Sequence, residues 1–171
     1  RTGTTHELIE QTVGHRLDGA FVCGPVNHPD LRVEPFFREE LVVLTAPGVA
    51  DFEALARQGD LRIIVLRASC SYRQHLEAAL ARRGIVGLRH LEFGTLEAIV
   101  SCVSAGLGVT LLPEGLIGPV WRQGRVCIHR LPGDEGSVEP VFIRHRDAYV
   151  SSALSAFLDI SRPVLARQAA E

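Results

Sequence analysis

Arg62-Ile63-Ile64-Val65-Leu66-Arg67-Ala68-Ser69-Cys70-Ser71-Tyr72-Arg73 is the stretch from which the fold of this chain can be read. Five residues centred on an Ile-Ile-Val run have the length and β-branched content of a strand buried on both faces. A turn of small and hydroxyl residues follows. Beyond it Tyr72, Leu76, Ala79 and Leu80 recur on one side of a helix predicted from about 71 to 83, which Gly84 stops. The pattern is repeated downstream. Residues 88–93 form a predicted strand, and Glu92-Phe93-Gly94-Thr95 turns into a helix reaching about 105, with Leu96, Ile99, Val100 and Val103 as its apolar stripe. Each turn aims free backbone N–H groups and the positive end of a helix at one region of space, which suits a small anion or polar ligand.

The same alternation runs through the rest of the chain. A helix is predicted over 4–14, capped by Thr4 or Thr5 with Glu7 in its first turn. Strands are predicted at 17–22, 40–46, 109–112, 126–131 and 138–144, with an extended segment at 31–37. A short helix is predicted near 51–57, a short helix or loop over 114–122, and a terminal helix over 150–166. Strand and helix in alternation imply an α/β fold, and the continuous run Leu41-Val42-Val43-Leu44 suggests largely parallel sheets. Ligands of open α/β sheets sit beyond the carboxyl ends of strands, where both turns lie.

Composition bounds the function. At 171 residues the chain can bury a sizeable core as one domain or two small lobes. It holds no apolar run of about 18 residues and no signal peptide, so neither membrane nor export is expected. Eighteen basic residues, all arginine, against twenty acidic ones give a net charge of −2, a poor match for wrapping nucleic acid. Cys23, Cys70, Cys102 and Cys127 form no C-x-x-C and read as reduced thiols of a cytoplasmic protein. The seven histidines show no metal spacing, and no cofactor is expected. With Arg1 first and no methionine anywhere, a fragment of a longer product is expected.

Several residues carry competing readings. Ser69, Cys70 and Ser71 suit a ligand-binding turn, but also a structural cap. A nucleophile or redox thiol is a third possibility, because a helix N-terminus lowers a thiol pKa. The G-x-S-x-G elbow of a serine nucleophile is absent. Thr95 is either a ligand hydroxyl or a plain N-cap. Arg73 suits a carboxylate partner or a solvated helix face, and His75 and Glu77 read as exposed. Gly106-Leu107-Gly108 follows a helix and precedes a strand, the reverse of a dinucleotide loop, and reads as a helix stop.

Taken in order, Leu17-Asp18-Gly19-Ala20-Phe21-Val22, Phe37-Arg38-Glu39-Glu40-Leu41-Val42-Val43-Leu44, Cys70-Ser71-Tyr72-Arg73, Ala98 to Pro113 and Val141-Phe142-Ile143-Arg144 resemble the effector-binding domain of LysR-type transcriptional regulators. The resemblance implies two Rossmann-like α/β lobes joined by two crossover strands near Phe36–Glu40 and Val138–Val141, as in type 2 periplasmic binding proteins. Lobe I would be residues 1–38 plus 139–171, incomplete for want of a first strand–helix unit, and lobe II residues 39–138. A small inducer, expected to be a carboxylate or other polar anion, would lie between the lobes. Its contacts would come from Thr2, Gly3 and Thr4 of lobe I and Ser69, Cys70, Ser71 and Thr95 of lobe II, with Val22, Cys23 and Gly24 as weaker candidates. The same likeness implies a homodimer or tetramer, and DNA contact only through an N-terminal helix-turn-helix domain. The other readings are a solute-binding protein, which needs an export signal upstream of Arg1, and an enzyme using Cys70 or Ser71.

Overall fold

The structure is a computed structural model that describes residues 1–56, 60–66 and 70–168. Its elements are α1 (Thr5–Val13), β1 (Ala20–Cys23), β2 (Leu31–Pro35), β3 (Glu39–Thr45), α2 (Phe52–Ala56), β4 (Arg62–Leu66), α3 (Cys70–Ala81), β5 (Arg89–Phe93), α4 (Leu96–Ser104), β6 (Thr110–Pro113), α5 (Glu114–Arg122), β7 (Cys127–Arg130), β8 (Ser137–Val138), β9 (Pro140–His145) and α6 (Ser152–Gln168). They gather into two compact units, Arg1–Glu40 with Ser137–Glu171, and Leu41–Gly136. The chain therefore passes from one unit to the other twice. The strands at those two points pair antiparallel, Glu39 with Val138 and Glu40 with Ser137.

The first unit is a three-stranded antiparallel sheet, β1-β9-β2, with β9 in the middle. Strand alternation sends Val22, Leu31, Val141 and Ile143 into one buried cluster, against which Leu8, Ile9 and Val13 of α1 pack. On the other face Phe21, Phe36 and Phe142 form an aromatic group, with Phe21 and Phe36 edge-to-face at 4.7 Å. α6 reaches this group through Phe157 and through Arg162, whose guanidinium lies 4.8 Å from the centre of the Phe36 ring. Gly19 has no room for a side chain, because a Cβ there would run into the Phe142 ring.

The second unit contains the longer sheet. β4 and β5 are parallel, β3 is antiparallel to both β6 and β7, and β4 is tied to β6 by a parallel bridge between Ile63 and Val109. The order in space is β5, β4, β6, β3, β7. All four residues of the Leu41–Leu44 run are at most 2 % exposed, so β3 is buried on both faces as expected, but it is not part of a parallel sheet. A continuous apolar run reports burial on two faces; it carries no information about the direction of the neighbouring strand. Val42, Leu44, Ile64, Leu112 and Val126 meet Ile99, Val100 and Val103 of α4 and Ile117 of α5 in one core. Leu76, Ala79 and Leu80 of α3, which packs on β4 and β6, are fully buried. Each such leucine contributes about 1.5–3 kcal/mol by leaving water.

The glycines around β6 divide the work. Gly106, with φ +76°, follows the C-cap Ala105 and closes α4 in a left-handed conformation. Gly108 has an ordinary φ but brings the backbone against β4, where a Cβ would stand 2.5 Å from the carbonyl oxygen of Arg62. It is a close-approach residue rather than part of the helix stop. Among the described residues no helix is long and apolar enough to cross a membrane.

Candidate functional site

The two turns of the second unit begin from one sheet edge. β4 and β5 are in parallel register from Arg62 opposite Arg89 to Leu66 opposite Phe93, so the chain leaves both strands at the same end. The helices fed from there, α3 and α4, both start beside that edge. α4 starts at Thr95, whose Oγ1 accepts a hydrogen bond from the Ala98 amide at 3.3 Å. Thr95 and Gly94 are exposed, and nothing lies within 4 Å of where a Gly94 side chain would begin. Thr95 is thus an N-cap in a solvent-facing turn. Its oxygen serves the helix, while its O–H remains a donor.

α3 begins at Cys70, with half-buried Ser71 in its first turn. Ser69 and the side chain of Cys70 lie outside the described residues. Arg73, one turn on, does not sit on a solvated face. Its side chain is one-third exposed, it lies 3.5 Å from the Glu77 carboxylate and 4.0 Å from that of Glu92, and its Nε is buried without a hydrogen-bond partner. Glu77 also meets Nε2 of His90 at 3.0 Å. His75 is half-buried, and that burial holds its pKa below the ordinary value. The helical repeat marked this side as polar. It could not show that β5 supplies His90 and Glu92 beside it.

In the first unit the candidate residues lie at the start of α1. Thr4 forms a full capping box: its Oγ1 accepts from the Glu7 amide at 3.3 Å, and its own amide donates to Glu7 Oε2 at 2.8 Å. Hydrogen bonding to the carboxyl from the Thr4 amide first, and from the Thr4 side chain second, holds Glu7 below the usual carboxylate range. Thr2 is exposed and Gly3 half-buried, with the Glu7 carboxylate 3.1 Å from where a Gly3 Cβ would be. Val22 points into the core at 5 % exposure. Cys23, next to it on β1, is half-buried. Cys102 and Cys127 are free thiols. Among the described residues no group of three or more His, Cys, Asp or Glu is placed to hold a metal ion.

One more group of polar residues anchors the second unit. Arg83, at the end of α3, bonds Glu53 at 2.5 Å, Glu135 at 2.8 Å and the Ala79 carbonyl at 2.7 Å. Hydrogen bonding to Glu135 raises the Arg83 pKa, and that to Arg83 lowers the Glu135 pKa. The network ties α2 and α3 to the 3₁₀ turn Gly133–Gly136, which leads into β8.

Two compact units of helices and sheet, on a chain that passes between them twice, define the architecture of this protein. A family profile described as the LysR substrate binding domain matches residues 1–166, and the chain belongs to that family. The regulator GltR of Bacillus subtilis is 38 % identical over 157 residues, 92 % of this chain and 53 % of GltR. The uncharacterised regulator YusT of the same species is 38 % identical over 163 residues, 95 % of this chain and 54 % of YusT. The chain thus spans about half the length of these curated relatives. Among solved structures, the regulatory domain of MetR from N. meningitidis superposes with a TM-score of 0.77 at 18 % identity, covering 95 % of this chain and 77 % of that one. The effector-binding domain of QuiR in complex with shikimate does so at 0.70 and 20 % identity, covering 95 % and 78 %. The fold is that of LysR regulatory domains. These relatives are transcriptional regulators rather than enzymes, which sets aside the reading of Cys70 or Ser71 as an enzyme nucleophile.

Proposed function

We propose that the chain is the ligand-sensing part of a LysR-type DNA-binding transcriptional regulator. The observation that carries this reading is the family match over residues 1–166 on a chain of two units. In this reading residues 1–38 plus 139–171 act as regulatory lobe I and residues 39–138 as lobe II. A small inducer binds between them and favours one lobe arrangement over the other, which is the condition for any ligand to shift such an equilibrium. DNA is contacted through a helix-turn-helix domain upstream of Arg1. The regulatory domains pair as a dimer or tetramer in the cytoplasm.

For the inducer we infer a small polar carboxylate. The α3 and α4 turns at one sheet edge, the outward Thr95 hydroxyl and the half-buried Ser71 suit such a group. The shikimate carried by QuiR is a ligand of this chemistry. Ser71 and Thr95 are its second-unit contacts, together with Ser69 and Cys70; Thr2, Gly3, Thr4 and Cys23 are those of the first.

The test is a protein extended upstream to its natural start, assayed for selection of specific DNA with and without a panel of small carboxylates. One carboxylate should change the affinity for, or the footprint on, a specific site. An extended protein with no helix-turn-helix pattern, or one that binds no specific DNA under any of these conditions, overturns the regulator reading and leaves a solute-binding protein of the same shape.

A further inference from the structure

We propose that the inducer's body is a bare hydrocarbon ring or branched chain of benzene size, held in a cavity of the unit Leu41–Gly136 beside the two turns. This rests on the carboxylate reading above and narrows it: the inducer is polar at its carboxylate end alone. The cavity has a volume of about 120 Å³. Leu76, Leu111 and Leu112 line it as buried residues, and Leu116, 57 % exposed on α5, stands at its rim. Tyr72 and Leu96 line it too, and each directly follows one of the proposed carboxylate contacts, Ser71 and Thr95. The cavity therefore reaches both turns. A ligand whose carboxylate meets those hydroxyls has its remaining atoms next to this space. The volume is of the same order as the roughly 150 Å³ apolar cavity that stays dry and accepts a benzene ring.

The lining decides against a hydroxylated body. Apart from Tyr72, Arg73 and Thr110, every lining residue is leucine or valine. Thr110 is only 2 % exposed, so it presents little to a guest. Arg73 is turned to its own partners: its Nε is buried and lies 3.5 Å from the Glu77 carboxylate, and Glu92 stands 4.0 Å from its Nη1. A hydroxyl carried into such a place gives up its water and finds few groups to replace it, which is a net cost. A hydrocarbon loses nothing of the kind and gains by leaving water, together with the exposed Leu116. Shikimate shares the carboxylate proposed for this inducer but carries a hydroxylated ring, so QuiR and this chain are expected to part at the body of the ligand.

Shikimate and the cyclohexenecarboxylate that lacks its ring hydroxyls form a matched pair, with one ring and one carboxylate. Each is titrated calorimetrically into the protein extended to its natural start, beside the uncharged cyclohexenecarboxamide. Cyclohexenecarboxylate should bind at least about tenfold more tightly than shikimate, the scale of one hydroxyl buried without a partner. Leu116→Asn, at an exposed position, should weaken cyclohexenecarboxylate about fivefold through lost apolar contact and leave shikimate unchanged. The proposal is overturned if shikimate binds as tightly as its hydrocarbon analogue, if neither carboxylate binds up to its solubility, or if Leu116→Asn leaves their ratio as it was. The readings beneath it fail in different ways. A carboxamide as tight as the carboxylate removes the carboxylate preference and keeps the hydrocarbon body. The expected ranking on a protein that selects no specific DNA removes the regulator and keeps the ligand class.

Discussion

The helix that opens the first unit and the helix α4 of the second begin with the same residue type and end up chemically different. Thr4 caps α1 and Thr95 caps α4, each accepting from the amide three residues on at 3.3 Å. At α1 that third residue is Glu7, which reaches back to the Thr4 amide and supplies the helix with its own carboxylate. At α4 it is Ala98, so no acid returns, and the turn at Gly94 stays open to solvent. A helix N-terminus attracts one negative group. In the first unit Glu7 fills that place with a bonded carboxylate; in the second the first-turn acid is Glu97, one position short of the box. The comparison bears on the proposed inducer contacts, because the Thr4 amide already donates to an acid, while the acid in the first turn of α4, Glu97, is not at the position that closes a box on Thr95.

The most direct way to break the comparison is to remove the second unit's hydroxyls. Ser71→Ala with Thr95→Val should weaken carboxylate binding about 30-fold, from two hydrogen bonds at roughly 1 kcal/mol each, while circular dichroism shows the fold retained. Unchanged affinity would move the inducer away from these turns. Next in size, Ala98→Glu should give α4 the box that α1 has. Carboxylate affinity should then fall on the order of fivefold to tenfold, in line with about 1 kcal/mol at a helix end, with the unfolding midpoint unchanged or higher. Thr4→Ala is expected to act on stability instead, lowering the unfolding free energy by about 1 kcal/mol through loss of the cap. If it weakens carboxylate binding as much as the Ser71/Thr95 change does, the α1 end is a ligand contact despite Glu7.

Below about pH 4.5 both units should lose stability, through Glu7 in the first and Glu135 in the second, while the buried histidines add a higher window in the second. The Glu7 carboxyl is held below its ordinary 4.5, so its contribution is complete above that value and is lost as pH falls through the lower folded value. Glu7→Gln should flatten the unfolding curve there. In the second unit His129 lies 2.9 Å from Thr45 Oγ1, and burial pushes its pKa below 6.5 against the opposing charge of Asp51. His75 is lowered for the same reason. Both are favoured neutral in the folded chain. The unfolded chain takes up their protons first as pH drops below 6.5, so this stability is present above 6.5 and lost beneath it. Replacing His75 and His129 with Gln should remove the loss between about pH 6.5 and 5, where Glu7 contributes in full. A loss that persists in that variant would place the sensitive groups elsewhere.

Much of this architecture was legible from the residues. The helix over 96–104 follows from Leu96, Ile99, Val100 and Val103 recurring with its own period, and its end from Gly106. A cap at Thr4 or Thr5 with Glu7 in the first turn needed no distant partner to be read, and the structure places it at Thr4. The family likeness rested on the order of such short segments. What was misread involved neighbours far apart in sequence. Leu41–Leu44 announced burial on both faces but not the antiparallel strands beside it. Arg73 and Glu77 belonged to a polar helix side by spacing, yet β5 brings His90 and Glu92 to them.

By itself, then, the sequence determined most of the elements and the family, and narrowed the caps to one or two residues, because helix period, strand composition and capping chemistry act over a few residues. Only the tertiary structure decided which strands run against each other. It also decided that α3 and α4 start from one edge. Those outcomes come from packing residues tens of positions apart, where an apolar side chain specifies that it is buried but not against what.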